Sequence, residues 1–469
     1  MNQVSCLVIG AGPTGLGAAW RLAEIGQTDW LLVDAGNRPG GLAASIRDEK
    51  GFVWDFAVHV AHSHYNYFDR LMESLLPDGF YNHERRAWVR LAESWVPYPF
   101  QYNFRHLPPG MRAECLEGLL ALNNKKRGVN VEGGRAEQLS FRDWIYMSFG
   151  EGIAKHFMLP YNEKIWTVNP AEMSASWLGE RVPAVDIARV LRNIEKGLDD
   201  VAWGPNHTFQ FPKQGGTGAI WEALYSRLPV DCRRLQTQVV HIDSNQRVAT
   251  FADGERIGYE YLVSTMPLPV LADKLNDSML MEAVRPLRHS HVQVAGIGVY
   301  RSIPDEIADK TWIYCPENTA KFYRVTPFSS FSPDHTPSPG SCCSFLCEFA
   351  SAGSGPLLKA NISELAVEGL RNLGIIDIRP DELHVQEMAA EYGYPVPTLE
   401  RDNILHKILP ELEKIGIYSR GRFGGWKYEV ANMDHSLMQG VEAINHIMHG
   451  AEQLTIYFPS IVNGEKRSQ

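Results

Sequence analysis

The chain has 469 residues, 44% of them hydrophobic and 21% charged, so it is long enough for two or three packed lobes around a large core. Its 45 basic and 55 acidic residues give a net charge of −10, which argues against a nucleic-acid-binding protein but allows a locally basic cleft. No apolar run approaches the roughly 18 residues of a membrane span, and a strand-like run starts too early to follow a signal peptide. Seven Cys residues without a CxxC pair complete the pattern of a reduced, cytoplasmic protein.

The first elements of the chain predict a dinucleotide-binding fold. Residues 4–9 form a strand-like run that leads into a glycine-rich turn and then into a helix-like run, residues 16–25. The turn carries Gly10, Gly12 and Gly15, a spacing that lets backbone N–H groups approach a pyrophosphate and packs the helix against the strand. The helix N-terminus adds unpaired amides and partial positive charge. A glycine-rich turn without a ligand is the weaker alternative, because the flanking strand and helix are both present.

The next strand favours FAD over NAD. Trp30–Val33 ends at Asp34, and an acidic residue at that place accepts hydrogen bonds from the adenosine ribose. The run RPGGLA follows and contains Gly40, Gly41 and Leu42. A second glycine pair after the ribose-binding acid is typical of flavin oxidases, where the chain passes close to the cofactor.

The remaining pattern predicts an α/β fold with two further domains. Residues 110–201 look mostly helical, and residues 291–350 alternate as strands separated by turns. Later helices are predicted at residues 357–373, 404–412 and 436–448. The predicted architecture is a discontinuous Rossmann-like FAD-binding domain (1–88, 206–268 and 420–469), a helical insertion domain (89–205) and an antiparallel-sheet substrate domain (269–419).

Several segments combine aromatic side chains with Arg, Asn and Gln in a way that packing alone does not require. In chain order they are WVPYPFQ, PYNEKIW, WLGERV, WGPN, FYR, YGYP and WKYEVAN. A buried guanidinium is costly unless it meets an anion, and its planar fork suits a phosphate. Each segment alone reads as ordinary core or as a paired Arg, but together they indicate a ligand with an aromatic base, a diphosphate and a sugar.

These segments resemble the eukaryotic-type, flavin-dependent UDP-galactopyranose mutases over nearly the whole chain. The motifs that carry the resemblance are GAGPTGLGAA, RPGGLA, SHYNYFD, WVPYPFQ, LPYNEKIW, SWLGERV, WGPN, FPKQGGTG, YLVSTM, YGYPVPTLER, GRFGGWKYEV and NMDHSLMQGVEA. The resemblance implies an isomerase that interconverts the pyranose and furanose forms of a UDP-sugar, by default UDP-galactose and its galactofuranose form. In that family the N5 atom of reduced FAD attacks the sugar C1 and expels UDP. The N5–C1 adduct opens, the sugar recloses through another hydroxyl, and UDP returns.

The resemblance also implies roles for individual residues. The implied cofactor-binding set is Gly10, Gly12, Gly15, Asp34, Gly40, Gly41, Leu42, His59, Arg422, Asp434 and Ser436. The residues implied to hold the uridine are Tyr98, Phe100, Gln101, Asn162 and Trp166. Those implied at the diphosphate and the sugar are Arg181, Asn206, Tyr314, Arg324, Tyr394, Tyr428 and Asn432. The implied catalytic residues are His59, Arg181, Asn206 and Arg324. NADPH or another reductant would reduce the flavin, and a homo-oligomer is frequent in the family.

Three positions depart from the family pattern. Ala57-Val58 stands where the family has two glycines before His59, and a β-branched Val58 resists the positive φ that a loop flip would need. His62 replaces a Phe near the sugar, and Phe331 replaces a phosphate-binding Tyr. The departures surround the flavin and the sugar and spare the uridine set. UDP is therefore the expected nucleotide, while the sugar and the flavin chemistry stay open.

The alternatives to this interpretation are a metal site, a related flavoenzyme, a non-catalytic relative and an oxidase or desaturase. His59, His62 and His64 are close enough in sequence to suggest a metal, but two of them match flavin- and loop-associated family positions, so no metal is expected. A mutase-derived flavoenzyme of specialised metabolism, acting on another nucleotide sugar or with altered flavin chemistry, is the second hypothesis. A non-catalytic relative of the Rab GDP-dissociation inhibitors is disfavoured by the intact glycine-rich turn. An amine oxidase or desaturase would give Arg181 and Arg324 no role.

Overall fold

A computed structural model describes residues 2–126, 139–179, 185–201, 207–353, 355 and 360–464. Its strands are β1 Asn2–Ile9, β2 Trp30–Val33, β3 Ser45–Arg47, β4 Val53–Asp55, β5 Phe80–Glu84, β6 Ala87–Leu91, β7 Ser94–Pro97, β8 Thr208–Pro212, β9 Arg233–Arg234, β10 Val239–Asp243, β11 Val248–Phe251, β12 Arg256–Ser264, β13 His289–Val299, β14 Trp312–Tyr314, β15 Arg324–Pro327, β16 Cys343–Ala352, β17 Leu383–Pro395 and β18 Ile417–Ser419. Its helices are α1 Pro13–Glu24, α2 Asn66–Leu75, α3 Phe100–Asn103, α4 Pro109–Lys126, α5 Phe141–Ile153, α6 Leu159–Trp166, α7 Ile187–Lys196, α8 Gly218–Arg227, α9 Leu268–Leu275, α10 Ser278–Val284, α11 Asp305–Ala308, α12 Ile362–Asn372, α13 Arg401–Lys414, α14 Gly421–Gly424, α15 Met433–His449, α16 Leu454–Tyr457 and α17 Pro459–Val462.

The first sheet contains the strand–turn–helix unit that opens the chain. Its strand order is β10-β11-β12-β1-β2-β9, with β18 paired to the end of β12. The strands around β1 run parallel, and β10 and β11 are added antiparallel at one edge. Side chains of β1 alternate between two cores, with Val8 in one and Leu7 in the other, because helices cover both faces of the parallel strands. The predicted Rossmann-like fold is confirmed.

The second sheet has the order β17-β13-β16-β15-β14-β6-β7. All of its pairs are antiparallel except β14 with β6. β13 packs one face against aromatic residues from the N-terminal part of the chain, and two glycines make that contact possible. A Cβ on Gly296 would lie 2.6 Å from the Trp54 ring, and one on Gly298 would lie 2.8 Å from the Phe52 ring.

The helical region shares a core with β6 and β7, because Val89, Leu91 and Val96 pack in the same cluster as its helices. α4 and α5 approach closely at glycines, since a Cβ on Gly152 would lie 2.2 Å from the Glu114 carbonyl oxygen. A π-helical turn, Ala154–Met158, separates α5 from α6. The seven cysteines are all buried and form no disulfide. No helix in the described ranges combines the length and the apolar character of a bilayer span.

Some segments join a different sheet from the one that the domain prediction assigns. β6 and β7 are strands of the second sheet, whereas the prediction divides residues 87–97 between the cofactor domain and the helical domain. β18 pairs with β12, and α13 packs on the core beneath that sheet through Leu405 and Leu409, although both elements fall in the range 269–419. Pairing with a strand far away in the chain decides sheet membership, and local hydrophobic pattern does not record it.

Candidate cofactor and substrate site

A cavity of about 410 Å³ lies at the carboxyl end of β1, where the glycine-rich turn enters α1. The residues of the predicted cofactor set that line it are Gly10, Gly12, Asp34, Gly41, Leu42, His59, Arg422 and Ser436. Neither α1 nor α15 has a side-chain hydrogen bond capping its N-terminus, and Thr14 and Met433 at these ends line the cavity. The first N–H groups of both helices are thus available to an anionic ligand.

The glycines of the turn have different physical roles. Gly10 has φ +103°, and a Cβ there would lie 2.0 Å from Thr265 Oγ1. A Cβ on Gly15 would lie 1.7 Å from the Gly10 carbonyl oxygen, so this glycine serves helix–strand packing. Gly12 has φ −77°, and a Cβ there would meet only Gly41 Cα, at 3.9 Å. The protein itself has room for a side chain at Gly12, so the space beside it fits a bound pyrophosphate.

Asp34 organises the turn as well as facing the cavity. Ala11 N donates to Asp34 Oδ2 at 2.6 Å, and Gly36 N donates to Oδ1 at 2.6 Å. Each carboxylate oxygen keeps a lone pair for a ribose hydroxyl. A further cavity of about 320 Å³, lined by Thr237, Val239 and Lys274, also reaches Asp34.

His59 is a neutral imidazole in a half-buried loop. Burial, with the nearby Arg422 charge, lowers the pKa of His59 to about 4. Its Nδ1 lies 3.0 Å from the Ala57 carbonyl oxygen, so Nδ1 carries the proton and Nε2 remains an acceptor.

A hydroxyl–carboxyl network holds the His59 loop. Thr217 Oγ1 lies 2.9 Å from the His59 carbonyl oxygen and 2.7 Å from Asp55 Oδ2. Ser45 Oγ accepts from Gly218 N at 2.7 Å and donates to Asp55 Oδ1. Burial raises the pKa of Asp55 to about 7. Thr217 Oγ1 has a single proton to donate to Asp55 Oδ2 or to the His59 carbonyl oxygen. When Asp55 is protonated, it can donate to Thr217 and leave the Thr217 proton for the His59 carbonyl.

A second cavity of about 290 Å³ adjoins the first, and Leu42, Phe56, His59 and Arg422 line both. The members of the predicted diphosphate and sugar set that line it are Tyr314, Arg324, Tyr394, Tyr428 and Asn432. Burial raises the pKa of Tyr314 and of Tyr394, so both hydroxyls stay protonated and can donate to an anion.

Arg324 is oriented by a carboxylate that the sequence analysis does not identify. Its Nε donates to Glu348 Oε1 at 2.8 Å and its Nη2 to Oε2 at 2.7 Å, while the Tyr323 hydroxyl donates to Oε2 at 2.7 Å. Glu348 is 0% exposed. Burial alone would lower the pKa of Arg324, but Glu348 outweighs it and holds that pKa well above the ordinary value. The pair leaves Nη1 for a ligand.

Arg422 supplies charge at the junction of the two cavities. Its Nε and Nη2 donate to the Gly393 carbonyl oxygen at 3.0 and 2.9 Å, and its Nη1 donates to the Ala431 carbonyl oxygen at 3.3 Å. Its guanidinium lies 4.9 Å from the Tyr394 ring centroid. No described carboxylate forms an ion pair with Arg422, so its positive charge is not neutralised within the described part of the chain. Arg85 also lines the second cavity.

The predicted uridine set lies beside the second cavity, behind its tyrosines. The Tyr98 ring is 5.3 Å from that of Tyr314, and the Trp166 ring is 4.9 Å from that of Tyr428. Trp166 Nε1 donates to Asn162 Oδ1 at 3.2 Å. Phe100 is buried and stacks on Phe157 with ring centroids 4.6 Å apart.

The Gln101 side chain has a buried hydrogen-bond donor that lacks an acceptor in the described part of the chain. Its side chain is buried, and Nε2 has no acceptor among the described residues. An orphaned buried donor is uncommon unless a ligand or water completes it.

Other predicted residues lie elsewhere. Arg181 and Asn206 fall outside the described residues. Gly40 has φ +105°, and its N–H donates to the Ala11 carbonyl oxygen at 2.8 Å, so it shapes the turn without lining the cavity. Asp434 is buried and faces two histidines, with Oδ2 2.8 Å from His64 Nδ1 and Oδ1 3.1 Å from His435 Nδ1.

The histidines do not converge as the sequence spacing suggests. The His64, Asp434 and His435 ligand atoms lie within 4.8 Å of one another, whereas His59 lies apart from them on the two cavities. His62 lines the second cavity, with its ring 5.1 Å from that of His64. Asp434 Oδ2 accepts from the His64 backbone N–H at 3.0 Å as well as contacting the His64 ring. The absence of a metal stays a prediction.

The remaining two departures lie in different places. Val58 lines the second cavity and has no positive φ. Phe331 packs in an aromatic cluster, with its ring 5.3 Å from Phe209 and 5.4 Å from Phe211. It lines neither cavity.

The residues that line the second cavity or belong to the hydrogen-bond networks of its lining and that the sequence analysis does not assign to the site are Glu348, Tyr323, Arg85, Asp55 and Thr217. Glu348 left a usable signal, since it is the one acid in the apolar run CCSFLCEFA, and a charge in a buried strand must be paired. The Asp55–Thr217 contact joins residues 162 positions apart and leaves no such signal.

Comparisons with known proteins agree with this geometry. A family model described as flavin containing amine oxidoreductase matches residues 13–296. A crystal structure of reduced UDP-galactopyranose mutase superposes with a TM-score of 0.92 and 39% sequence identity, covering 99% of this chain and 98% of that chain.

More distant matches show the fold alone. Putrescine oxidase bound to putrescine superposes with a TM-score of 0.62 at 13% identity, over 95% of this chain and 99% of that chain. A fatty acid isomerase from P. acnes that produces CLA gives a TM-score of 0.62 at 15% identity, over 95% of this chain and 99% of that chain.

A curated ferredoxin–NADP reductase from Ralstonia pickettii (strain 12J) is 39% identical over 76 residues, or 16% of this chain and 21% of that protein. This match spans about a fifth of the relative and says nothing of the rest. The mutase structure covers 99% of this chain, and the flavoprotein family model matches residues 13–296. Together these two matches decide the assignment. The chain belongs to the flavin-containing amine oxidoreductase family and, within that fold, to the UDP-galactopyranose mutases.

Proposed function

We propose that this protein is a eukaryotic-type, FAD-dependent mutase that interconverts the pyranose and furanose forms of a UDP-sugar, with UDP-galactose as the default substrate. One observation carries the proposal. The cavity at the glycine-rich turn adjoins a second cavity lined by arginines and tyrosines, and His59 and Arg422 line both. A relative of 39% identity that is named as a UDP-galactopyranose mutase supports the same conclusion.

The described residues fit FAD. Gly12 leaves open space beside the turn, and the uncapped N-termini of α1 and α15 offer amides to the pyrophosphate. Asp34 would hold the ribose, with the adenine end directed to the cavity lined by Thr237 and Val239. NADPH or another reductant would reduce the flavin.

The chain contributes electrostatics and orientation to the reaction. Reduced flavin, when bound, would supply the nucleophilic nitrogen for the anomeric carbon with no net oxidation of the sugar. Arg324, held by Glu348, and Arg422 would stabilise the diphosphate as it departs and returns, and the Tyr314 and Tyr394 hydroxyls would donate to it. The neutral His59 would present Nε2 as a hydrogen-bond acceptor at the junction. Arg181 and Asn206 belong to the same proposal by resemblance.

The nucleotide end of the site would be UDP. Gln101 Nε2 is a buried donor that needs an acceptor, which the carbonyls of a uracil can supply. In the proposed complex the uridine would also be held by the aromatic rings of Tyr98, Phe100 and Trp166 and by the side-chain amide of Asn162.

His62 and Val58 favour a second candidate, a mutase for another UDP-sugar. Both residues line the second cavity, where the family has a Phe and a glycine. A polar, titratable ring in place of a phenyl changes what a sugar hydroxyl meets there.

The decisive experiment incubates dithionite-reduced protein with UDP-galactopyranose and a panel of other UDP-sugars and follows furanose signals by NMR. Furanose from UDP-galactose, with no net NAD(P)H consumed per product, supports the first candidate. Furanose from another UDP-sugar, with none from UDP-galactose, supports the second candidate. A variant carrying Ala57→Gly, Val58→Gly and His62→Phe should then gain activity on UDP-galactose. No furanose from any sugar, or one NADPH oxidised per product, contradicts both.

A further inference from the structure

Lys164 is bound by an unusual number of backbone carbonyls. Its Nζ donates to the carbonyl oxygens of Cys315, Glu317 and Ala320, each at 2.8 Å, and to that of Phe322 at 3.0 Å. An ammonium has three protons, so four converging carbonyls surround it as they would surround a desolvated monovalent cation. Without a cation the four dipoles would repel one another.

The carbonyls all belong to one loop, residues 315–322, within the connection between β14 and β15. Tyr314 directly precedes the loop, and Arg324 follows it by two residues and pairs with Tyr314 across the hairpin. The loop has other anchors, because Ala320 and Phe322 are buried and Glu317 Oε2 accepts from Ala92 N at 3.0 Å. Removal of the ammonium would thus loosen the hairpin without releasing it.

Lys164 itself lies on α6, the helix that carries Tyr161, Asn162 and Trp166. The Tyr161 ring lies 5.1 Å from that of Tyr314, so the helix and the hairpin meet at the wall of the second cavity. The ammonium joins these two elements across 151 residues of sequence.

We propose that Lys164 is a positioning residue. Its ammonium, hydrogen-bonded to the carbonyls of the 315–322 loop, holds the hairpin of Tyr314 and Arg324 in register with α6. This inference rests on the proposed function, since it assigns these elements to the diphosphate and the uridine. Burial lowers the pKa of Lys164 to about 8, with Lys321 adding to that shift and Cys315 and Glu317 opposing it, so the group is still mostly charged at pH 7.

The test uses the flavin-loaded protein and two substitutions. Lys164→Met keeps the apolar stem and removes the charged end of the side chain, and Lys164→Ala opens a space next to the carbonyls. Lys164→Met should lower kcat/KM for the UDP-sugar by about tenfold or more, because a shift of an ångström in a positioned arginine can cost about a hundredfold. Methylammonium should restore part of the activity of Lys164→Ala, whereas tetramethylammonium, which has no N–H, should not. Lys310→Met, which removes another buried ammonium, should keep wild-type turnover.

Hydrogen exchange of the 312–327 amides measures how tightly the hairpin is held, independently of turnover. Faster exchange in both Lys164 variants, reversed by methylammonium in Lys164→Ala, supports the positioning role even where wild-type protein converts no UDP-sugar and the proposed function fails. Unchanged exchange and kcat/KM in Lys164→Met overturn the inference, as does equal rescue by tetramethylammonium. If Lys164→Met does not fold, exchange and turnover of Lys164→Ala with and without methylammonium decide the matter in the same way.

Discussion

At the scale of single residues, Gly12 and Gly15 lack a side chain for different reasons. A Cβ on Gly15 would overlap the Gly10 carbonyl oxygen at 1.7 Å, whereas one on Gly12 would enter the cavity and touch only Gly41 at 3.9 Å. The fold excludes a side chain at Gly15 and leaves space for one at Gly12, where the proposed FAD would lie.

Gly12→Val is therefore expected to fold and to lose its flavin. Purified wild-type protein should be yellow and release FAD on denaturation, and the variant should be colourless with a native circular dichroism spectrum. Gly15→Val should instead yield little folded protein. Gly110→Ala, where a Cβ meets nothing within 4 Å, serves as the control with full flavin content. Stoichiometric FAD in Gly12→Val would refute the assignment of the cavity.

Arg324 and Glu348 act as a unit. Arg324→Lys keeps the charge but loses the fork, and Glu348→Gln keeps the volume but loses the charged acceptor that orients Arg324. Each should lower kcat by about tenfold or more. Arg371→Lys alters an exposed pair with Asp377 and should leave kcat unchanged. Steady-state kinetics with wild-type kcat for Arg324→Lys would remove it from the site.

At the scale of elements, the loop that carries His59 depends on a buried acid. Asp55 bonds Ser45 and Thr217, and Thr217 bonds the His59 carbonyl oxygen. The loop is thereby joined to the start of α8, so the protonation state of Asp55 affects the wall of both cavities.

The free energy of unfolding should depend on pH through Asp55. Burial raises its pKa from 3.8 to about 7 in the folded protein, so the folded state binds the extra proton between these values. Stability is present in full below about pH 4, falls as the pH rises to about 7, and changes no further above it. Asp55→Asn mimics the neutral acid, so wild type should lose stability relative to this variant across that window. Denaturant unfolding from pH 4 to pH 8 measures the difference, and a pH-independent difference would contradict the network.

At the scale of the whole molecule, the cofactor cavity collects residues from both ends of the chain. Gly10 and Asp34 line it together with Arg422 and Ser436, and β17 of the second sheet covers it through Ala389 and Glu391. A ligand in this cavity binds only when all of these segments are folded together.

FAD should accordingly stabilise the entire chain. A ligand that binds only the native state adds about 2.7 kcal/mol at a hundredfold excess over Kd, so Tm should rise with FAD concentration above that of deflavinated protein. Differential scanning calorimetry of the deflavinated protein at increasing FAD measures the shift. Gly12→Val should show no shift, and a wild-type Tm that ignores FAD would contradict the cavity assignment.

The sequence by itself determined the cofactor fold, because its signal is local. The strand, glycine turn, helix and Asp34 are contiguous, and each step follows from backbone sterics or from the helix dipole. The family resemblance also pointed to Arg324, Tyr314 and Tyr394, which the structure brings to one cavity.

Only the tertiary structure decided the partners of those residues. Glu348 meets Arg324 because β15 and β16 pair in one particular register, and β6 and β7 join the second sheet through the parallel contact of β6 with β14. Lys164 reaches a loop 151 residues away. Such contacts depend on how strands and helices pack in three dimensions, and a hydrophobic period of two or 3.6 residues shows which face is buried but not what it is buried against.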